Sequence, residues 1–511
     1  MRYLRLPALC CLAFLAVGVR ADVTLAPLFT DHAVLQRDKV VPIWGQAAAG
    51  EKITVAFHLQ KRDALTAADG RWLVFLEPLP ADAQGSDLVV TGKNTVTVHD
   101  IVVGEVWLCS GQSNMEFAVN RAANADKEIA AANFPLIRHV KIERTVATAP
   151  ADTVQTSGWQ SASPQTVGGF TAVGYFFARE IFQKLGVPVG LVHSSWGGTP
   201  IESWMSPAAL ASNPAFAVIK ARWEQDLADY PVKKPAYDVR LRGWREAEAA
   251  AKAKSPAALA AFYQQRPWER APRGPGDSWT PSGLFNGMIN PLLPYALRGA
   301  LWYQGESNAD RASEYHALFA AMITAWRRHF GQGDFPFYWV SLANYKVPGD
   351  ATDATYAFLR EAQTQTLDLP NTGQALAIDI GNSDDIHPTD KQDVGRRLAL
   401  LAKNRLYGIV GDDTGPTFSS ATREGAALRV RLTHTEGGLV AHDKPVQSLE
   451  VAGADKVFHL ATARIERDTL LVSAPGVREP VAVRYAWKNS PEANLYDGAG
   501  LPAVPFRSDN W

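Results

Sequence analysis

Short runs of apolar residues broken by turn residues fill the two ends of the chain, while the middle alternates buried-looking strands with helix-period stretches. Residues 23 to about 103 contain the strand-like runs Val40–Trp44, Lys52–Phe57 and Trp72–Leu76. Gly50, Asp69-Gly70 and the stretch Pro78 to Gly85 separate them with turn chemistry. No helical period interrupts this region, which reads as an all-β domain. From about residue 415 the pattern returns as Ala427–Thr433, Leu449–Val451, Thr469–Ser473 and Val481–Ala486, with Gly437-Gly438 and Asp497-Gly498 as turns. That predicts a second all-β domain over 415–511.

Between them, residues 104–414 carry predicted strands at Val103–Cys109, Val187–His193, Gly299–Gln304, Phe335–Ser341 and Ala375–Ile380. The clearest helical patterns are Val173–Leu185, Ala312–Phe330 and Asp390–Tyr407. In the last, Val394, Leu398, Leu401 and Leu406 share one face, Thr389 and Gln392 have capping-box spacing, and Gly408 can close the end. This alternation predicts an α/β domain: a parallel sheet with helices on both faces. An insertion at about 205–285 holds an Ala-rich helical stretch, Arg245–Ala261, and a Pro/Gly-rich loop, Pro267–Gly283.

Length fits this division, since 511 residues are too many for one ordinary core. The formal charge of −1, with no run of like charge, argues against a nucleic-acid partner. Residues 1–21 read as a cleavable signal peptide, with Arg2 and Arg5 before an apolar Leu6–Val17 and a Val19-Arg20-Ala21 cleavage site. That stretch is shorter than the roughly 20 residues of a membrane span, so a secreted or periplasmic protein is expected. Cleavage would remove Cys10 and Cys11, leaving Cys109 without a disulfide partner. Some of the 15 Trp residues have the apolar faces that stack on sugar rings.

Open parallel sheets bind ligands beyond the carboxyl ends of their strands. Four of the predicted strands run there into polar, glycine-bearing clusters. These are Ser110-Gly111-Gln112-Ser113-Asn114-Met115, His193 to Thr199, Gln304 to Asn308, and Gly381 to Pro388. Acyl transfer by serine needs a base, a group that orients the base, and donors for the oxyanion. Ser113 follows Gly111 at a strand end, where a tight turn exposes a hydroxyl. Asp384 precedes His387 by three residues and can reach Nδ1 across a turn, leaving Nε2 for the serine. Gly197-Gly198 can present backbone N–H groups, Gln304 and Asn308 supply side-chain amides, and Glu306 is an alternative orienting acid.

Residues Gly104–Glu116 resemble the nucleophile block of the sialate O-acetylesterase family. The similarity continues through His193–Ser203, Trp302–Asn308 and Asp384–Pro388, and on to Tyr485–Trp487 and Pro505–Arg507. The resemblance implies an SGNH-hydrolase-like core with flanking β domains, acting on acetylated carbohydrate without cofactor or metal. It places the nucleophile at Ser113, the base at His387 and the orienting acid at Asp384, with the N–H groups of Ser113 and Gly198 as oxyanion donors. The chain departs from the wider superfamily with Gly-Gln-Ser-Asn in place of Gly-Asp-Ser-Leu, and with Gly305-Glu306-Ser307-Asn308 in place of Gly-x-Asn. The side-chain oxyanion donor therefore stays open between Gln304 and Asn308, with Gln304 preferred for its place at the strand end. Acetylated sialic acid and acetylated plant polysaccharide such as xylan or xyloglucan are both substrates such an enzyme would take. Two rival classes are a metal-dependent deacetylase and a noncatalytic carbohydrate-binding protein. The first needs paired His ligands on one helical face, and the eleven His residues are scattered.

Overall fold

A computed structural model of the chain describes residues 22–266 and 268–511. The segment read as a signal peptide lies outside the described residues. Among the described residues, no helix is long and apolar enough to cross a membrane.

One strand organises the molecule. β1 (Thr95–Gly111) runs for 17 residues, and its second half is buried at every position. β2 (Phe134–Lys141), β3 (Val189–Ser195), β4 (Gly299–Tyr303), β5 (Phe337–Val340) and β6 (Thr372–Ala375) complete a parallel sheet in the order β2-β3-β1-β4-β5-β6. A short strand, Gln160–Ala162, lies antiparallel on the outer edge of β2. Burial on both faces explains the near-continuous apolar runs in the sequence. Side chains alternate across β1: Val106 and Leu108 enter one core, while Trp107 and Cys109 enter the other.

Helices α2 (Ala172–Leu185) and α5 (Lys391–Arg405) cover the second face through Phe176, Phe177, Ile181, Val394, Leu398 and Leu401. The first face is covered by α3 (Ala312–Phe330) and α4 (Thr355–Gln365), which bury Phe319, Met322, Trp326 and Leu359 against Trp302 and Trp339. The amino-terminal β region joins that same core through Ile43, Val55 and Leu88. Its strand Asp82–Thr91 pairs with the first half of β1, so the boundary expected at residue 103 falls inside a single strand. Buried Glu105 on β1 reinforces the junction, bonded to Arg37 and, at 2.6 Å, to Arg298. A carboxylate taken out of water needs such partners. Beyond residue 415 two four-stranded sheets enclose a separate core that includes Leu428, Val451, Leu470 and Tyr485.

Several elements differ from the sequence expectation. β2 is not among the five strands the sequence predicts, and β6 lies at Thr372–Ala375 rather than 375–380. The helical stretch expected at 245–261 is split. A long helix spans Ala217–Lys254, and a second starts at Pro256, with the Ser255 hydroxyl accepting from the Ala258 N–H at 3.1 Å. Ser-Pro is an N-cap followed by a first-turn residue, which is why the chain restarts there. The cap of α5 is Asp390, accepting from Asp393 N–H at 3.0 Å, not the Thr389–Gln392 pair. Gln392 turns away and donates to Ala123 O.

Leu398 is fully buried between α5 and the sheet. Leu398→Ala leaves a cavity there and is expected to cost about 2–5 kcal/mol of stability. Chemical denaturation checks this; an unchanged midpoint would refute it.

Candidate active site

The chain leaves β1 toward β2 and β3 on one side and reaches β4 on the other, so the strand order reverses at β1. Such a switch point opens a crevice at the carboxyl end of the strand. The register places Gly111 level with Ser195 of β3 and Tyr303 of β4, so three strands end together. Gly111 adopts φ +129°, and a Cβ there would lie 2.2 Å from Tyr303 O. Only glycine fits, and the turn it permits starts a one-turn helix, α1 (Ser113–Glu116), with Ser113 at its first position.

Ser113 Oγ lies 2.8 Å from His387 Nε2, across 274 residues of chain. His387 stands in the loop between β6 and α5, half-buried, with Phe117 beside its ring. Burial holds its imidazole below the ordinary value. Asp385 pulls the other way, and Lys391 and Arg121 add to the lowering. A neutral imidazole at pH 7 can accept a proton from serine.

The carboxylate that the structure sets beside His387 is Asp385, not the Asp384 that the spacing predicts. Asp384 is 80% exposed and pairs with Lys346 at 3.0 Å, on the loop after β5. Asp385 instead folds back: its Oδ1 accepts the His387 backbone N–H at 2.8 Å and lies 3.7 Å from His387 Nδ1. The turn places the carboxylate two residues before the histidine on the imidazole side. The alternative acid, Glu306, is also elsewhere, accepting from Asn114 Nδ2 at 2.7 Å.

The two side-chain amides expected at the oxyanion are engaged in a buried network. Gln304 Nε2 donates to Thr199 O at 3.2 Å and Asn308 Oδ1 at 2.7 Å, which uses both its N–H groups. Asn308 Nδ2 donates to Glu202 at 2.8 Å, and its Oδ1 also accepts from Ile201 N–H. Both residues are enclosed and brace the loop after β3. That loop itself presses on Ser113. A Cβ at Gly197 would sit 3.1 Å from the Ser113 Cβ. Gly197 N–H donates to Glu116 at 2.9 Å, and Gly198 O accepts from Trp279 Nε1 at 2.8 Å, so the peptide between them is held from both sides. Among the described residues, neither Ser113 N–H nor Gly198 N–H has an intramolecular acceptor.

A second serine–histidine contact lies nearby, with His193 Nε2 and Ser195 Oγ 2.6 Å apart. His193 also contacts His139 at 3.2 Å, and all three residues are buried. Sequence reading did not single out Asn114, Lys391 or Trp279, each of which the structure brings to this crevice. The signal for Asn114 was adjacency to Ser113; Trp279 had none. Among the described residues, no group of three His, Cys, Asp or Glu side chains is placed to hold a metal ion.

Comparison with known proteins bears on this crevice. A family model described as carbohydrate esterase, sialic acid-specific acetylesterase matches residues 103–230 and 276–403, which include every side chain of the crevice named above. The sialate O-acetylesterase of Rattus norvegicus is 30% identical, the match covering 96% of this chain and 95% of that one. The Homo sapiens sialate O-acetylesterase is 28% identical over 94% of this chain and 91% of its own. The crystal structure of a carbohydrate acetylesterase from Xanthomonas citri superposes with a TM-score of 0.81 at 37% identity, covering 96% of this chain and all of that one. Fold and matches together define the class as carbohydrate esterase. Within that class, the chain belongs to the sialic acid-specific acetylesterase family.

The two neighbouring aspartates make opposite predictions. Asp385→Asn is expected to lower kcat by about 10- to 10³-fold, because it removes the charge that supports an imidazolium. Asp384→Asn, losing only an exposed pair with Lys346, should stay within about twofold of wild type. Steady-state kinetics on an aryl acetate distinguish them, and the reverse ranking would restore Asp384. With His387 as the base, turnover would need its neutral ring, and kcat/KM is expected to fall as pH drops, with its midpoint below 6.5. A pH–rate profile with a midpoint above 7 would contradict this.

Proposed function

We propose that this carbohydrate O-acetylesterase works by serine acyl transfer, with Ser113 as nucleophile, His387 as general base and Asp385 as the acid behind it. The observation that carries the reading is the 2.8 Å contact between Ser113 Oγ and His387 Nε2 at the switch point of the parallel sheet. This arrangement supports an SGNH-type reading of the core.

Ser113 Oγ attacks the acetyl carbonyl carbon as its proton passes to His387 Nε2. The carbonyl oxygen takes up negative charge, and the N–H groups of Ser113 and Gly198 are the donors available to it. Clamping by Glu116 and Trp279 fixes the Gly198 amide before substrate arrives. Donors that need no reorganisation stabilise the developing charge most. The tetrahedral species collapses, the C–O bond to the sugar breaks, and His387 returns its proton to the leaving hydroxyl. Water then attacks the acetyl-serine with His387 again as base, releasing acetate and restoring Ser113.

Access separates this pair from the other one. Ser113 and His387 are partly exposed, whereas Ser195, His193 and His139 are enclosed, with no carboxylate among the described residues to balance a charged ring. An acetylated sugar is the substrate class. Acetylated sialic acid follows the family description and the curated relatives, and acetylated xylan or xyloglucan is the second possibility.

Ser113→Ala is expected to fold as wild type and lose kcat on the order of 10⁶-fold, as nucleophile removal does in serine proteases. Acetate release measured over acetylated sialosides, xylan and xyloglucan, with wild type and Ser113→Ala in parallel, tests both the mechanism and the sugar. Near wild-type turnover by the variant would overturn the assignment.

A further inference from the structure

Directly beneath the catalytic pair lies a polar chain that the acyl-transfer steps do not use. Asn114, the residue after Ser113, is buried and makes three bonds through one amide. Its Nδ2 donates to Glu306 Oε1 at 2.7 Å and to the backbone carbonyl of Ile386 at 3.0 Å. Its Oδ1 accepts from Lys391 Nζ at 2.6 Å. Ile386 is the residue before His387, so the amide joins the nucleophile's turn to the base's loop. Glu306 comes from the loop after β4, and Lys391 opens α5. The turn after β1, the loop after β4 and the stretch Ile386–Lys391 thus meet on one side chain.

Lys391 has no exposed surface. Its ammonium lies 4.9 Å from the Phe117 ring centre and 5.3 Å from that of Tyr303, and Asn114 is its one hydrogen-bond partner among the described residues. An enclosed ammonium is costly unless it serves a partner. Glu306 Oε2 is likewise enclosed without a partner.

Resting on the acyl-transfer reading above, we propose that Asn114 and Lys391 are positioning residues: the Asn114 amide holds the His387 loop at bonding distance from Ser113, and Lys391, opposite Glu306, holds that amide in orientation. Both amide hydrogens are committed, to Glu306 and to Ile386, and the oxygen faces the ammonium. Rotating the amide by half a turn would set its NH₂ against Lys391 and its oxygen against two acceptors, so the charges fix one orientation. A displacement of about 1 Å between nucleophile and base is enough to lower a rate about 10²-fold.

The ammonium has a second consequence for the base. Lys391 is among the cations that disfavour the charged form of His387, after burial and against Asp385. Its own value is pushed down to about 7, mainly by burial. Glu306, Asp385 and Asp390 oppose that lowering and Arg121 adds to it. Removing the lysine's charge should therefore make His387 easier to protonate.

The test uses the full-length enzyme with Asn114→Ala, Lys391→Met and the double variant, assayed on an aryl acetate. Each single change is expected to lower kcat by about 10- to 10²-fold with KM within about twofold. The double variant should lose little more than the worse single one, since both act through one amide. In Lys391→Met the acid limb of kcat/KM should move to higher pH, a shift that loosened packing alone does not produce. Should Lys391→Met fail to fold, Glu306→Gln replaces it in the cycle, with the same non-multiplicative loss expected. Variants with wild-type kcat, or losses that multiply in the double variant, would overturn the positioning role. A wild-type enzyme that releases acetate while Ser113→Ala does so equally would instead overturn the acyl-transfer reading.

Discussion

The backbone carbonyl of Tyr303 sits where three strands end, and the geometry of the crevice follows from it. It accepts the Gln112 N–H at 2.9 Å, closing the turn after β1, and it occupies the space a Cβ on Gly111 would need. The turn can therefore be made only by glycine, and it delivers Ser113 to the first position of α1 rather than into the sheet. Parallel register makes this possible, because Gly111 stands beside Tyr303 on one edge and Ser195 on the other. A one-residue slip of β4 would remove the carbonyl from the turn and turn Trp302 and Tyr303 into the wrong cores. The alternation that buries Trp302 on one face and Tyr303 on the other is thus also what fixes the position of Ser113.

Much of this was legible in the residues. The fully buried strands announced themselves as apolar runs, and the polar clusters after them gave Ser113 and His387, which the structure brings together. β2 escaped because Phe-Pro-Leu-Ile-Arg-His-Val-Lys mixes a proline and three basic or titratable residues into its run. Their partners are remote: Arg138 is bonded to carbonyls of His32 and Asp100, and His139 to His193. The long helix at Ala217–Lys254 escaped for a different reason. It holds Pro231 and Pro235 and buries little beyond Ile219 and Tyr237, so it lacks both the apolar stripe and the uninterrupted propensity that mark a helix.

The roles of the acids and amides were less legible, since they depend on partners far along the chain. Asp384 and Asp385 are adjacent and chemically alike, and spacing alone favoured the first. Lys346, arriving from the loop after β5, draws Asp384 outward, while the turn at 382–385 leaves Asp385 to accept from His387. Gln304 and Asn308 have the chemistry of oxyanion donors, yet Thr199 and Glu202 reach them first. In each case a residue type permits a function and a remote hydrogen bond decides whether it is available.

The same logic separates the two serine–histidine contacts, which differ by only 0.2 Å in length. Transfer of a serine proton leaves a positive ring that must be stabilised where it forms. His193 is enclosed beside His139, with Lys141 and Arg144 adding positive potential, and burial holds its imidazole well below the ordinary value. Among the described residues no carboxylate faces it, so an imidazolium buried there would carry an uncompensated charge, a penalty larger than a hydrogen bond returns. His387 is only half-buried and has Asp385 on its far side, so the charge it acquires is partly balanced at once. Proximity of a hydroxyl to an imidazole is common to both sites. What distinguishes the Ser113–His387 site is an environment that tolerates a charged imidazolium while still favouring the neutral ring at rest.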